Sequence, residues 1–583
     1  MNRHRAYWPL DDSPVADGDG AFVGVNARID AGQLGDGEVA HAVNARFDEG
    51  RAATRKGIRI MPWGAPVHSG DGPDVIRSYG EVQLAETYQD PYGGAEWVLL
   101  VTSTGTFRCN PGSRGLELPM WPDETADAAT DLIQTYNGAV MLRGADESPL
   151  YLPSLAEGWA TLPAADSGKE TIPPSTTGIY FQNRLCVVDA RLDPEHVDTV
   201  WVSDVGGVGS VLQGPTVYQS FRINQGSSDR LVALAKFNET TLVCAKTRSI
   251  YVVTDIYGDN SSLAQNARLQ EVTRQYGCQS PKSWVQVGSD LWFMGYRRGV
   301  CSLRQTETNA VQGVDVPVSR DIQPIIDRIN WEAAESVVAA AHENRVYFAV
   351  PLDSSSVNNA VLVFSTLTQR WAGYDYSDAT RVAAFVKFAY GGAVRLGIAT
   401  SDGYLALYED GYCDHVGDGE GGVTYEPIAT TIRTRGYAGR VSGLKRFRRV
   451  VAKVQTWNPT YSVKLLTDGA FESTTRATVT KDRSEYTRPH DAEPWDDTNA
   501  NGDWETPYRE DYSAVADGLQ VTDDDGNGTV AWDRLQQAEE EWRIGGTSGN
   551  HLQLEFTSTQ GRIEIAGLQV DTTRGPSRVG PKN

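Results

Sequence analysis

The sequence predicts an all-β protein, in which a β-propeller of about six to eight blades is followed by a C-terminal β-sandwich-like domain. Most of the chain consists of short apolar runs, rich in Val, Tyr, Trp and Thr and ended by Gly, Asn or Asp, which is the pattern of strands and tight turns. Helical periodicity is nearly absent. One segment has it, with Ser319 as the expected N-cap and an apolar stripe formed by Ile322, Ile325, Ile326 and Ile329.

The apolar runs occur in pairs that repeat along the chain. We expect hairpins at 97–109, 138–152, 184–204, 240–255, 289–303, 344–365 and 393–410. The equivalent anchor residues are Leu99, Val140, Leu185, Leu242, Leu291, Val346 and Leu396, separated by 41 to 57 residues. A four-stranded propeller blade needs roughly 40 to 50 residues, so this spacing favours a propeller. Other β-rich folds also yield hairpins at such intervals, and the spacing alone does not exclude them.

Composition along the chain divides it into three regions. Residues 1–75 form an N-terminal extended or hairpin segment that is able to join the propeller, residues 76–422 form the propeller, and residues 423–583 form the sandwich-like domain. The last region contains an acidic insertion at about 482–548. Within it, residues 482–525 hold 14 Asp or Glu against 3 Arg. So many charges with few aliphatic residues indicate a surface insertion between strands.

Charge and cysteine content exclude several classes of function. The 583-residue chain has 53 basic and 76 acidic side chains and a formal charge of −23, the opposite of the basic surface of proteins that grip nucleic acid. Its six cysteines form no CxxC pair, which excludes a zinc ribbon, and several lie in apolar runs as small buried hydrophobes. The N-terminus lacks a secretory signal pattern and no apolar run could span a bilayer, so we expect synthesis in a reducing cytoplasm and no membrane segment.

Two stretches of the acidic insertion match the first half of a calcium-binding loop. The oxygen-bearing residues are Asp523, Asp525 and Asn527 in one stretch and Asp497, Asn499 and Asn501 in the other. The twelfth position, which should supply a bidentate carboxylate, is Arg534 or Tyr508. We therefore favour ordinary turns over calcium sites and predict no metal and no cofactor, with calcium at these loops left open.

No catalytic motif is present, and we predict that the chain is not an enzyme and has no catalytic residue. The sequence has no GxSxG, HExxH or GxxxxGK[ST] motif. One alternative is a glycan-binding or glycan-degrading propeller whose central pocket holds carboxylates and the aromatic residues Trp201, Trp292 and Trp371. Their strand-like positions favour core packing for these tryptophans instead.

One basic run stands out against the acidic background. It comprises Lys445, Arg446, Arg448, Arg449 and Lys453, interleaved with Phe447, Val450 and Val451. Strict strand alternation would put Arg446 and Arg448 on one face and Arg449 on the other, so a one-sided patch is not expected. We interpret the run as a possible subunit contact or a salt-bridged sheet face rather than as a phosphate site.

The segment from 24 to 58 resembles the opening of the β-propeller virion proteins of tailed phages, the tail nozzle or tail tubular protein B group. The shared order is a G-x-N-x-R start, a Gly-Glu step, an A-V-N-x-R-F strand and a T-R-x-G strand, here 24–28, 37–38, 42–47 and 54–57. The pieces 445–450, 461–469 and 559–570 also look like the closing sandwich of such proteins.

This resemblance implies a structural virion protein that forms an oligomeric ring, with a hexamer as the expected state, and conducts double-stranded DNA during ejection. Its expected neighbours are the tail adaptor and portal-proximal proteins on one side and tail fibres or distal tail proteins on the other. An acidic wall binds DNA poorly and lets it slide. Nozzle, stopper and distal hub remain alternatives, as does a receptor-binding tail protein that uses the acidic insertion.

Overall fold

A computed structural model describes residues 15–17, 21–61 and 80–574, the last range with gaps at 92, 104, 111–114, 122–128, 137, 156, 163–169, 192–195, 206–212, 215–219, 225, 257–265, 307–310, 418–422, 439–444, 457–460, 468–477, 482–536 and 560–561. The described residues confirm the all-β prediction, since strands make up nearly all of their regular structure.

The N-terminal part supplies short strands that pair with strands far along the chain. They are β1 (Val15–Asp17), β2 (Gly24–Val25), β3 (Glu38–Val43), β4 (Ala45–Arg46), β5 (Ala52–Thr54) and β6 (Ile58–Ile60). Two short 3₁₀ helices, Ala31–Gln33 and Asp48–Gly50, lie between them.

Five antiparallel four-stranded sheets follow in chain order. Sheet 1 contains β7 (Val82–Gln89), β8 (Glu96–Thr102), β9 (Gly105–Asn110) and β10 (Gly115–Trp121), and sheet 2 contains β11 (Asp131–Gln134), β12 (Ala139–Arg143), β13 (Glu147–Leu152) and β14 (Ala160–Thr161). Sheet 3 contains β16 (Ser175–Phe181), β17 (Arg184–Asp189), β18 (Thr199–Val202) and β20 (Ser220–Arg222), while β15 (Glu170–Thr171) and β19 (Gln213–Gly214) pair with each other. Sheet 4 contains β21 (Leu231–Lys236), β22 (Thr241–Lys246), β23 (Ile250–Thr254) and β24 (Arg268–Thr273), and sheet 5 contains β25 (Val285–Val287), β26 (Asp290–Gly295), β27 (Gly299–Gln305) and β28 (Val311–Gly313).

Two further meanders are extended by strands from other parts of the chain. Sheet 6 is β29 (Val338–His342), β30 (Arg345–Val350), β31 (Ala360–Ser365) and β32 (Arg370–Tyr376); sheet 7 is β33 (Val382–Tyr390), β34 (Ala393–Thr400) and β35 (Leu405–Tyr408). The N-terminal β6 lies antiparallel to β35 and gives sheet 7 its fourth strand. Beyond β6 the sheet continues through β36 (Cys413–Gly417) and β37 (Val423–Pro427).

The repeat predicted from the sequence is confirmed at the level of strands. Each of the seven anchor residues, from Leu99 to Leu396, lies on the second strand of its own sheet. These strands are apolar on both faces because each sheet packs against two neighbours. In β22, Leu242 and Cys244 pack with sheet 3, whereas Val243 and Ala245 pack with sheet 5.

Shared apolar clusters connect each sheet to the next. They join Leu99 to Met141, Val140 to Val187, Cys186 to Leu242 and Val243 to Phe293. Between sheets 5 and 6, the rings of Trp292 and Phe364 meet edge to face at 4.9 Å, and between sheets 6 and 7, the rings of Tyr347 and Tyr408 do so at 5.4 Å.

Sheet 7 packs against sheet 1, so the last sheet of the series contacts the first. Val386 and Phe388 of β33 share a buried cluster with Val98 and Leu100 of β8. In addition, the Thr87 hydroxyl donates a hydrogen bond of 2.6 Å to the carbonyl oxygen of Lys387. The order of packing is therefore cyclic.

The remaining strands form two sheets that share one apolar cluster with sheets 5 to 7. The strands are β38 (Thr430–Thr434), β39 (Lys445–Thr456), β40 (Tyr461–Thr467), β41 (Thr478–Lys481), β42 (Gln537–Gly549), β43 (Leu552–Ser558) and β44 (Ile563–Arg574). One sheet contains β4, β5, β44, β39 and β42, with β1 also paired to β44, and the other continues sheet 6 through β2, β3, β38, β43, β40 and β41. Phe447 of the first sheet and Phe556 of the second belong to the common cluster.

The predicted helix is only partly correct. A 3₁₀ turn over Val318–Ile322 leads into a single-turn helix α1 (Gln323–Ile326), and the predicted isoleucine stripe is buried. Ser319 is not the N-cap. Its hydroxyl instead accepts a hydrogen bond of 3.0 Å from the backbone N–H of Val300, which ties the turn to sheet 5.

The six cysteines are free thiols and all are buried, as predicted. Among the described residues, no helix has the length and hydropathy that crossing a bilayer requires.

Candidate functional site

The segment that carries the phage-protein resemblance folds around Asn44, which has a left-handed backbone conformation (φ 55°). Its amide nitrogen donates to the carbonyl oxygens of Tyr376 (2.9 Å) and Ala429 (2.7 Å). Its amide oxygen accepts from the N–H of Tyr376 (2.8 Å) and from Nε of Arg55 (3.0 Å). Both donors and both acceptor positions of this buried side chain are thus satisfied.

Arg46, two residues further on, forms a bidentate ion pair with the fully buried Asp375 of β32. The two N–H···O distances are 2.8 and 2.6 Å, and Nε donates to Glu409 at 2.6 Å. The Tyr408 hydroxyl also donates to Asp375. Although burial alone would raise it, the neighbouring Arg46 and Arg55 lower the pKa of Asp375, which remains ionised.

Arg55, also fully buried, forms a second bidentate pair, with Asp414 of β36, at 2.8 and 2.5 Å. Asp414 additionally accepts a hydrogen bond from the N–H of Ile58 at 3.1 Å. We call Asn44, Arg46, Arg55, Asp375, Tyr408 and Asp414 the arginine core. It joins the N-terminal segment to sheets 6 and 7, and it is fully hydrogen-bonded in the way a buried ion pair requires.

A cleft of about 410 Å³ lies beside the arginine core, between the N-terminal segment, sheets 6 and 7 and the chain after β43. Its charged wall residues are Arg46, Arg51, Lys56, Arg345, Arg395 and Arg562 together with Asp48, Glu49, Glu343, Glu409 and Glu564. Several are paired with one another, as Arg345 is with Glu409 (2.5 Å) and Asp48 (2.6 Å). Because the charges nearly cancel, the cleft selects neither a strongly anionic nor a strongly cationic ligand.

The basic run predicted from the sequence lies on β39, between β42 and β44. Lys445 is buried and its ammonium donates to the carbonyl oxygen of Asn550 at 3.0 Å. Arg449 pairs with Asp571 of β44 at 2.7 Å, whereas Arg446 and Arg448 are exposed and Lys453 is half-buried.

The run does have basic residues on both faces, since Lys445 is buried beside Phe447, but the strict alternation that would put Arg449 opposite Arg448 is wrong. Phe447 and Val450 are buried, whereas Arg446 and Arg448 are exposed and Arg449 is half-exposed. The register with β44 shifts between Phe447 and Arg449, so Arg448 is an extra residue that changes the phase of the alternation. The exposed and half-exposed arginines therefore share the outer face.

The other sequence predictions have separate outcomes. The tryptophans of the glycan alternative, Trp201, Trp292 and Trp371, are buried core residues, and Trp371 donates to the carbonyl oxygen of Val318 at 3.0 Å. Both calcium-like stretches and residues 482–536 lie outside the described residues. The predicted end of the acidic insertion at about 548 is wrong, because residues 537–548 belong to strand β42, which pairs with β39. In the part of the chain that the structure describes, no group of three His, Cys, Asp or Glu side chains could hold a metal ion.

Sequence reasoning missed a second charged group, which we call the Lys282 cluster: Glu86, Asp131, Thr177, Gly178 and Lys282. Glu86, Asp131 and the pair Thr177–Gly178 lie on the first strands of sheets 1, 2 and 3, and Lys282 precedes the first strand of sheet 5. The Lys282 ammonium contacts a carboxylate oxygen of Asp131. These residues are up to 196 positions apart (282 minus 86), so no local pattern could reveal them.

Comparison with known proteins adds no relative. No family model matches the chain, and no curated protein shows significant similarity to it.

Proposed function

We propose that the chain is a structural virion protein of a tailed phage, a subunit of an oligomeric tail nozzle or tube ring that conducts genomic DNA and retains it before ejection. In this proposal it acts in the virion tail and has no catalytic role. Six is the expected number of subunits. Its neighbours would be the tail adaptor on one side and fibres or distal tail proteins on the other.

The observation that supports this proposal is the structural role of residues 24–58, the segment that resembles the phage proteins. Asn44, Arg46 and Arg55 belong to its A-V-N-x-R-F and T-R-x-G elements, and all three enter the buried arginine core. Their polar groups bind other parts of the same chain rather than a solvent-exposed site. A motif that holds distant parts of one chain together fits a structural protein better than it fits a ligand-binding site.

We further propose that the seven sheets are the blades of a β-propeller. Each of the seven contains at least three antiparallel strands of a meander, consecutive sheets share apolar clusters, and sheet 7 packs against sheet 1. Strand β6 would close the wheel, because it places an N-terminal strand in the last blade. Such a closed arrangement leaves only short sheet edges and suits a rigid scaffold.

The outer face of β39 is our choice for the contact between subunits. Arg446 and Arg448 are exposed there in a chain whose net charge is −23. A basic face on an acidic protein attracts another copy of the same protein through complementary charge. The acidic remainder of the surface supports the proposed passage of DNA, since like charges keep the duplex from sticking.

The test is the oligomeric state of the full chain. Native mass spectrometry and negative-stain imaging should show closed rings, and antibody labelling should locate the chain in the tails of purified particles. The double variant Arg446→Glu with Arg448→Glu should shift the population to monomers. A matched variant, Arg248→Glu with Arg268→Glu, makes the same charge change at exposed positions of sheet 4 and should leave the rings intact.

Two results would contradict these proposals, the first the proposed ring and the second the proposed β39 contact. One is a chain that stays monomeric under all assembly conditions and is missing from purified particles. The other is equal loss of rings in both double variants, which would show that net charge, rather than the β39 face, controls assembly.

A further inference from the structure

The Lys282 cluster brings an amine and a carboxyl group into contact inside the protein. The Asp131 side chain is 6% exposed and that of Lys282 is 31% exposed, and the Lys282 ammonium contacts Oδ1 of Asp131. Asp131 lies in sheet 2 and Lys282 in the segment just before sheet 5, and these two sheets are not neighbours in the packing order. The contact therefore crosses from one side of the series of sheets to the other.

The second oxygen of the same carboxyl group is held by two donors. Oδ2 of Asp131 accepts hydrogen bonds from the Thr177 hydroxyl (3.1 Å) and from the backbone N–H of Gly178 (3.0 Å). A Cβ at Gly178 would lie 2.8 Å from the carbonyl oxygen of Cys186, so only glycine fits at this position. Two donors fixed on one oxygen would stabilise negative charge if the carboxyl carbon were attacked.

A second carboxyl group stands beside the pair. Glu86 is accessible to solvent, yet desolvation by the surrounding protein raises its pKa to about 7, and its charge interacts with both Lys282 and Asp131. Burial favours the neutral amine, but Asp131 and Glu86 together raise the pKa of Lys282. The resting state is thus an ion pair, and the charge of the Glu86 carboxyl group acts on both of its members.

We propose that Lys282 and Asp131 become joined by an intramolecular amide bond, with Glu86 as the proton shuttle. Glu86 takes a proton from the Lys282 ammonium, and the neutral amine attacks the carboxyl carbon of Asp131, while Thr177 and Gly178 hold the charge on Oδ2. Glu86 passes this proton to Oδ1 and then relays a second proton to the same oxygen from the nitrogen of the tetrahedral intermediate. The C–Oδ1 bond breaks, Oδ1 leaves as water, and Glu86 returns to its starting state as a carboxylate. In balance, one ammonium and one carboxylate yield one amide and one water, and no other reactant is needed.

The chain contains a natural control for this chemistry. Lys246 and Asp198 form a fully buried pair at 2.9 Å. Apart from this ion-pair contact, however, neither oxygen of Asp198 accepts a hydrogen bond from the residues that the structure describes. We expect that pair to remain ionic, because burial and contact are not sufficient without donors that hold the carboxylate oxygens.

The experiment is the mass of the intact full-length chain measured in denaturant. Formation of the bond removes one water, so the wild-type chain should be about 18 Da lighter than its sequence requires. Trypsin should release a branched peptide in which 115–143 is joined to 275–297, with no cleavage after Lys282. Lys282→Arg and Asp131→Ala should restore the full mass, and Glu86→Gln should restore it or slow its loss at least tenfold.

Lys246→Arg is the matched variant and should retain the loss of 18 Da and the branched peptide. The wild-type measurement decides the matter even if a variant fails to fold. A wild-type chain of full mass, with separate 115–143 and 275–282 peptides, would overturn the proposal and leave an ordinary ion pair. A mass loss that persists in Lys282→Arg would also overturn it, because the water would then have left from another site.

Discussion

Asp375 is the residue on which both arginines of the arginine core depend. It is fully buried, forms a bidentate pair with Arg46 and lies 3.7 Å from Nε of Arg55. Asp375→Asn removes the negative charge and leaves buried positive charge partly uncompensated. We expect a loss of about 3–5 kcal/mol in the free energy of unfolding, measured by chemical denaturation.

The matched control is Asp353→Asn. Asp353 pairs with Arg328 at 2.5 Å, but its side chain is 53% exposed. An exposed pair of this kind contributes about 0–1 kcal/mol, so this variant should unfold at nearly the wild-type denaturant concentration. Equal effects of the two substitutions would mean that the arginine core does not hold the N-terminal segment in place.

His41 should make the folded state sensitive to mild acid. It lies on β3, where burial and the positive charges of Arg433 and Arg328 lower its pKa to about 4. A histidine in the unfolded chain titrates near pH 6.5, so between about pH 6.5 and 4 the unfolded chain binds a proton that the folded chain does not. Stability should therefore fall as the pH drops through this window, by at most about 3 kcal/mol from this residue.

His41→Gln tests this by replacing the imidazole with a group that does not titrate. The difference in unfolding free energy between the variant and the wild type should be constant above pH 7. It should change in favour of the variant from pH 6.5 down to 4. Parallel pH profiles for the two proteins throughout that window would contradict the assignment.

At the scale of the element, the short strand β6 depends on Gly57. A Cβ at this position would lie 1.9 Å from the backbone oxygen of Cys413, at the start of β36. Gly57→Ala must therefore move the start of β6 away from β36, at a cost of about 1–3 kcal/mol or more. Hydrogen–deuterium exchange should increase in residues 58–61 and in the adjoining β35. Gly35→Ala, where a Cβ would meet only the Glu38 side chain at 3.6 Å, should leave exchange in both strands unchanged.

The elements differ in how far the sequence predicts them. The second strands of the seven sheets were predictable, because Leu99, Val140 and their equivalents lie in local runs of the period and composition of a buried strand. The pairing of the N-terminal strands was not. Strand β5 pairs with β44 about 500 residues away, as in Ile565 opposite Ala52, and strand patterns contain no information on so distant a partner. The outward face of β39 was missed because a single extra residue, Arg448, reverses the alternation.

The two charged sites show the same limit at the scale of the whole molecule. The resemblance marked Arg46 and Arg55 as part of a motif, but their carboxylate partners Asp375 and Asp414 lie more than 300 residues away. The Lys282 cluster had no motif at all, because its residues come from the first strands of three sheets and from the segment just before β25. Its parts come from sheets that are far apart along the chain, and the closing contact between sheet 7 and sheet 1 likewise joins the two ends of the series.

That closing contact can be tested with one buried ring. Phe388 of sheet 7 is 1% exposed and packs against Val98 and Leu100 of sheet 1, much as Phe293 is buried between sheets 4 and 5. Phe388→Ala and Phe293→Ala should each lower the free energy of unfolding by about 3–5 kcal/mol, because each empties a packed boundary between two sheets. In an open stack of seven sheets, the outer face of sheet 7 would lack a neighbour, and Phe388→Ala would cost less than about 1 kcal/mol. Chemical denaturation of the two variants side by side therefore separates a closed wheel from an open one, and a small effect confined to Phe388 would remove the basis for the proposed propeller.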